Sequence, residues 1–146
     1  MITVHASAVV IGETGVLIRG PSGAGKSDLA LRLIDGVGYG LGADLLKATL
    51  VADDQVVVQR VADQLLLSPP ARLAGKIELR GIGIVALPYC PEASLDLVID
   101  LADHSKIDRM PPEDEQTTEI LGFAIRHFWI DAKTAGAAAK IRALVR

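Results

Sequence analysis

Eight residues, Gly20-Pro21-Ser22-Gly23-Ala24-Gly25-Lys26-Ser27, constrain this chain more than any other stretch. They fill the phosphate-loop pattern: glycine at each end of a four-residue spacer, then lysine and serine. Gly20, Gly23 and Gly25 lack a Cβ, so the backbone there can fold tightly and aim successive N–H groups at one anion. Lys26 supplies a point charge for β and γ phosphates, and the Ser27 hydroxyl is a ligand for Mg²⁺. The flanks agree with this. Gly15–Arg19 is apolar and predicts a strand entering the loop, and Ser27–Ile34 carries apolar residues at 29, 30, 33 and 34 and predicts a helix leaving it. Strand, glycine loop and helix N-terminus together make an anion site out of backbone dipoles. The sequence therefore implies a nucleoside-triphosphate site.

The rest of the composition narrows the class. A chain of 146 residues, half of them apolar, predicts one domain over 1–146, able to bury about 68–70% of its unfolded surface. Net charge is −3 with no long basic run, which argues against a nucleic-acid partner. Cys90 is the single cysteine, so no internal disulfide is possible, and a reducing, cytoplasmic location is expected. No basic region precedes the first apolar residues, as a signal peptide would require. No apolar run approaches the ~20 residues of a membrane helix, so no membrane partner is expected.

Taken in order, Thr3–Ile11 predicts a first strand containing His5, whose bland reading is a surface or half-buried strand position. After the loop helix, Asp35–Gly42 holds four glycines and predicts a mobile connection, and Ala43–Lys47 predicts a short helical turn. Ala48–Asp54 is an apolar strand ending in two adjacent carboxylates, Asp53 and Asp54. Alternation puts those two on opposite faces, so one can face the phosphates while its neighbour is held elsewhere. Gln55–Val61 and Leu65–Leu67 form a hairpin. In Lys76–Leu87, Glu78 and Arg80 share a strand face, Gly81 and Gly83 permit close backbone approach, and Ile84–Leu87 resumes a buried strand. Ser94–Leu101 is a further strand, with Asp100 placed like a Walker B aspartate and competing with Asp53 and Asp54 for the Mg²⁺-linked role. Arg109 lies in a polar, proline-stopped loop, His104–Pro112. Glu113–Leu121 predicts a helix or an extended loop, Phe123–Ile130 a strand, and Thr134–Val145 an alanine-rich final helix. The sum is a mixed or parallel sheet with few helices, of the phosphate-loop α/β class.

Missing residues exclude some phosphate-loop proteins. The chain contains no asparagine. It therefore lacks the Asn-Lys-x-Asp segment of guanine switches and the metal-binding asparagine of the protein-kinase catalytic loop. A large AAA-type or transporter ATPase needs more chain than this. A small kinase or a nucleotide-binding sensor remains.

In four segments and their order the chain resembles the catalytic domain of bacterial HPr kinase/phosphorylase, which phosphorylates a serine of the phosphocarrier HPr. The segments are His5, the loop Gly20–Ser27, Leu50-Val51-Ala52-Asp53-Asp54, and Glu78-Leu79-Arg80-Gly81-Ile82-Gly83-Ile84. A weaker fifth is Asp108-Arg109-Met110. The resemblance implies a PEP-carboxykinase-like phosphate-loop domain with a mixed central sheet. It also implies an ATP- and Mg²⁺-dependent protein-serine kinase whose partner is HPr or an HPr-like protein of a phosphotransferase system. It puts the base that deprotonates the target serine at Asp53 or Asp54, with Asp53 preferred. Mg²⁺ falls to Ser27 and Glu78, a histidine near the base to His5, and a phosphate-directed arginine to Arg109. Asp100 then becomes an ordinary strand residue. A homo-oligomer, a hexamer in the family, is implied as well.

Three departures qualify what the family implies. His5 stands near the start, so a short form without the family's N-terminal domain is expected. The link from Ser27 to Asp53 is longer than usual. The family's Pro-Val-Arg-Pro-Gly-Arg-Asn segment, tied to dephosphorylation, is replaced by Trp129–Gly136, so weak or absent phosphorylase activity is expected. Two other functions stay open on the residues alone: a nucleotide-binding regulatory module without transfer, and a small-metabolite kinase.

Overall fold

The structure is a computed structural model and describes residues 1–145. Its strands are β1 (Ile2–Val4), β2 (Ala6–Ile11), β3 (Thr14–Arg19), β4 (Ala48–Ala52), β5 (Val56–Val61), β6 (Gln64–Ser68), β7 (Lys76–Leu79), β8 (Gly83–Ala86), β9 (Ala93–Leu101), β10 (Thr117–Ile120) and β11 (Phe123–Ile130); its α-helices are α1 (Lys26–Asp35) and α2 (Ala137–Leu144). Nine strands form one curled, mixed sheet in which β1, β5, β6, β9, β3, β2 and β4 are successive neighbours. The nine residues of β9 are the hub. β3 runs parallel along one of its edges; the other edge is shared, β6 pairing with Ala93 and Ser94 and β11 running parallel to Leu97–Leu101.

Period-two alternation sorts the apolar residues to two faces. Val16 and Ile18 of β3, with Val9, Leu97, Ile99 and Ile130, pack under the two helices, where Leu29, Ala30 and Leu33 of α1 meet Ile141 of α2. Leu17 of β3 points the other way, into a second core with Val51, Val58, Leu67 and Val98. β3 is thus buried on both faces, which fixes the point where it delivers the chain into the phosphate loop.

The structure departs from the sequence expectations in five places. The first strand is broken at His5, which sits on a bend between β1 and β2. Ala43–Lys47 forms bends and one bridge, Gly38 to Leu46, rather than a helical turn. The glycine-rich link before it touches the body of the domain at Gly40, where a Cβ would lie 2.4 Å from the carbonyl oxygen of Arg142, while Val37, Tyr39 and Leu41 stay exposed. Glu113–Leu121 folds as a 3₁₀ turn followed by β10, which pairs antiparallel with β11. Finally, β7 and β8 form a separate two-stranded hairpin, so the expected buried strand over Ile84–Leu87 is an outer arm with Ile84 exposed. The glycines of its turn serve conformation, not close approach. Gly81 and Gly83 have φ of +85° and +113°, and nothing lies within 4 Å of where their Cβ atoms would be.

Candidate active site

The loop between β3 and α1 carries two left-handed glycines, Gly23 (φ +82°) and Gly25 (φ +100°), which turn it back on itself. Gly25 is the N-cap of α1 and makes no side-chain cap, so the N–H groups of the first helical turn have no side-chain acceptor. Lys26 is buried, and its Nζ donates to the carbonyls of Gly20 (2.6 Å) and Pro21 (3.1 Å). The ion pairs among the described residues are His5–Asp54, Arg19–Asp100, Arg32–Asp28 and His127–Asp100, so none reaches this ammonium. A buried cation held by neutral carbonyls beside uncapped N–H groups is a seat for an anion.

The loop floors a cavity of about 890 Å³. Lys26, Ser27, Glu78, Arg80, His5 and Asp54 all line it, the β7–β8 turn forming the opposing wall. Asp53 lies beneath, only 3% exposed. Its Oδ1 accepts from the hydroxyls of both Ser27 and Ser7 at 2.7 Å, and its Oδ2 accepts from the Glu78 N–H at 3.2 Å. That last bond ties the hairpin to the loop. Asp54 has φ +67°, a left-handed conformation uncommon for residues other than glycine, which swings its carboxylate away from Asp53 and into the cavity. Its side chain is 56% exposed, with Oδ1 3.6 Å from Nδ1 of His5.

The residues present fit Mg²⁺. The Ser27 hydroxyl gives its proton to Asp53, leaving oxygen lone pairs free, and Glu78 offers a carboxylate in the same cavity. Among the described residues no cluster of three or more His, Cys, Asp or Glu side chains is placed to cage a metal. Mg²⁺ in phosphate sites needs only one or two protein oxygens, with waters and substrate phosphates completing its shell.

Other expected residues stand apart. Arg109 is exposed and does not line the cavity. Asp100 turns away from it and takes a bidentate Arg19 (2.9 and 2.7 Å) and Nε2 of His127 (2.6 Å). Two cavity residues had no separate signal in the sequence. Ser7, fully buried, is one small residue in an apolar strand, and nothing in the sequence singled it out. Arg80 was visible only as half of a charge pair. No helix among the described residues is long and apolar enough to cross a membrane.

These features define an α/β domain in which the Asp54 carboxylate and a glycine loop with a buried lysine face one cavity. Residues 1–144 match the family model described as HPr Serine kinase C-terminal domain, and the chain belongs to that family. It is 34% identical over 145 residues to the HPr kinase/phosphorylase of Alkaliphilus metalliredigens, an alignment covering 92% of this chain and 43% of that protein. With the HPr kinase/phosphorylase of Caldanaerobacter subterraneus the identity is 36% over 125 residues, covering 78% and 38%. The chain thus spans less than half the length of these curated relatives. The solved structure of the HPr(Ser) kinase/phosphatase from Coxiella burnetii superposes with a TM-score of 0.81 at 29% identity, covering all of this chain and 89% of that one.

Proposed function

We propose that this chain is an ATP-dependent protein-serine kinase domain acting on HPr or an HPr-like phosphocarrier, in the cytoplasm and as a homo-oligomer, hexameric by resemblance. The single observation that carries the proposal is the shared cavity: Asp54 opens into the same space as Lys26 and Ser27.

In this reading the base is Asp54 rather than Asp53. The Asp53 carboxylate already accepts three hydrogen bonds and is buried, so it positions Ser27 and cannot meet an incoming hydroxyl. Asp54 is exposed and takes the serine proton as attack on the γ-phosphoryl develops. His5 stands 3.6 Å from one of its oxygens, leaving the other for the acceptor. Lys26 swings from the Gly20 and Pro21 carbonyls to the phosphates, and the loop N–H groups spread the transferring charge. Ser27 and Glu78 would hold Mg²⁺, which would supply positive charge to offset that of the phosphates. Arg80 stands where the resemblance had suggested Arg109, and serves as the second cationic clamp. Phosphorylase activity is weak or absent, because Trp129–Gly136 offers no arginine in place of the two of the family's segment.

The test is phosphate transfer from labelled ATP to HPr from the same organism, with the modified serine mapped. Asp54→Asn is expected to slow transfer about 10²–10⁴-fold, and Lys26→Ala to abolish it. Nucleotide binding without transfer to HPr by the wild-type chain would refute the kinase reading.

A further inference from the structure

On the far side of the phosphate loop from Asp54 lies a second, smaller cleft of about 130 Å³. Its apolar walls are Pro21 and Ala24 of the loop and Leu101 and Ala102 at the carboxyl end of β9; its rim is Asp103, Asp131 and Lys133. The loop is the partition between the two spaces: Ser22, Gly23, Gly25, Lys26 and Ser27 line the large cavity, Pro21 and Ala24 the small one.

In-line transfer fixes which side each reactant takes. Attacking and leaving oxygens lie on opposite sides of the transferred phosphoryl. Asp54, just past β4, marks the attacking side. The leaving side, and with it the rest of the donor, then points across the loop. The sheet order β4, β2, β3, β9 carries that direction to the ends of β9 and β11. These strands run parallel to β3 or to each other, and the crevice beyond the carboxyl ends of parallel strands is where open α/β sheets seat their ligands.

We propose that this cleft holds the base of the donor nucleotide, the purine against Pro21, Ala24 and Ala102 and its polar edge toward Asp103. The inference rests on the kinase reading above. Size and chemistry agree with it. A cleft of about this volume takes one aromatic ring, so it seats an edge of the purine and leaves the ribose outside, and apolar walls with a polar rim suit a base better than a phosphate. The walls are tied in place: the Ala102 N–H bonds the Ile130 carbonyl (3.1 Å), and the Asp131 carboxylate takes the N–H groups of His104 and Lys133 (both 2.9 Å). Asp103 Oδ1 takes the N–H and hydroxyl of Ser105, so its Oδ2 remains as an acceptor for an exocyclic amino group or a ribose hydroxyl. Hydrogen bonds from Ser105 hold that carboxyl below its ordinary range, which keeps it an acceptor at neutral pH.

The experiment compares binding of ATP and inorganic tripolyphosphate, both with Mg²⁺, to wild type, Ala102→Phe and Asp103→Ala. Filling the cleft with Ala102→Phe is expected to weaken ATP about tenfold and leave tripolyphosphate within twofold. Asp103→Ala, at an exposed position where folding is not at risk, is expected to weaken ATP about threefold with the same selectivity. ATP affinity unchanged in both variants, or parallel loss of the two ligands, would overturn the base assignment while leaving the phosphate loop intact. Failure of the wild type to bind either ligand would instead bring down the phosphate-loop reading, and this one with it.

Discussion

Two inward-facing aspartates, Asp53 buried and Asp100 half-buried, stand on either side of the loop-bearing strand, and they are finished differently. Asp100, on β9, meets the Arg19 guanidinium through both oxygens and His127 through one. Asp53, after β4, is more deeply buried and just as fully hydrogen-bonded, yet all its donors are neutral: two hydroxyls and one backbone N–H. Buried charge is costly unless paired. The Asp100 cluster is electrostatically closed and clamps β3, β9 and β11 together. Asp53 is electrostatically open, and so, a loop away, is Lys26, a buried ammonium on two carbonyls. An open anion beneath the cavity and an open cation lining it call for a cation and an anion from outside. Charge balance, more than burial or hydrogen-bond count, separates the frame from the site.

The largest expected effect is the abolished transfer in Lys26→Ala, and the loss of about 10²–10⁴-fold in Asp54→Asn follows it. Next comes an exchange that can break the comparison directly: the same amide substitution at Asp53 and at Asp100. Asp100→Asn leaves Arg19 without its counter-charge in a half-buried place and is expected to cost about 3 kcal/mol of stability. Transfer per folded molecule should stay within about threefold, since nothing in the cavity moves. Asp53→Asn keeps an oxygen for Ser7 and Ser27 but sets its NH2 against the Glu78 N–H, so its stability cost is expected at about 1–2 kcal/mol, below that of Asp100→Asn. Its transfer rate or Mg²⁺ affinity should fall about 10–100-fold, the usual result of losing a partner that orients a metal ligand. Urea titration and steady-state kinetics on both variants decide it. Equal stability losses would mean that Asp53 is as structural as Asp100.

How much of this was legible before the fold was known follows the same division. The loop, its strand and its helix were readable because their signals are local: glycines at fixed offsets, then a 3.6-residue period. The paired aspartates were readable as a pair. Which of them faces the cavity was not, because the answer depends on a left-handed backbone at Asp54 and on Ser7, 46 residues away in sequence from Asp53. Asp100 looked like a metal aspartate because its neutralisers, Arg19 and His127, arrive from two other strands. The outer position of β8 was not legible because Ile84 and Val85 look like core, while the structure sets them in a two-stranded arm, with Ile84 73% exposed. Arg109 was carried by motif alone, and the fold puts Arg80 in the cavity instead.

A finer test concerns the second hydroxyl on Asp53. Ser7 and Ser27 donate to the same oxygen, but only Ser27 belongs to the loop. Ser7→Ala removes one donor and leaves Asp53 with two, at an expected cost of about 1 kcal/mol. If Ser7 holds the carboxylate in place for Ser27, the Mg²⁺ concentration needed for half-maximal transfer should rise several-fold while saturated turnover changes little. Ser7→Thr, which keeps the hydroxyl, should restore it. A drop in turnover with an unchanged Mg²⁺ requirement would show that Ser7 acts on packing alone.

The smallest expected effect lies at a third kind of aspartate, exposed and satisfied by backbone. The N–H groups of Lys133, and then His104, hold the Asp131 carboxyl below its ordinary range. A carboxyl whose pKa is lower folded than unfolded stabilises the fold fully above its unfolded value and loses that contribution as pH falls through the folded one. Asp131→Ala should therefore lower the urea midpoint by a small, constant amount from pH 7 to pH 5. The gap to wild type should close as pH drops below about 4, the unfolded aspartate value. Because the side chain is solvent-exposed, added salt should shrink only the part of the gap that comes from charge. A gap that stayed constant down to pH 2 would mean that Asp131 acts through the shape of its turn and not through its ionised form. The contrast between open and closed carboxylates would then apply only to Asp53 and Asp100.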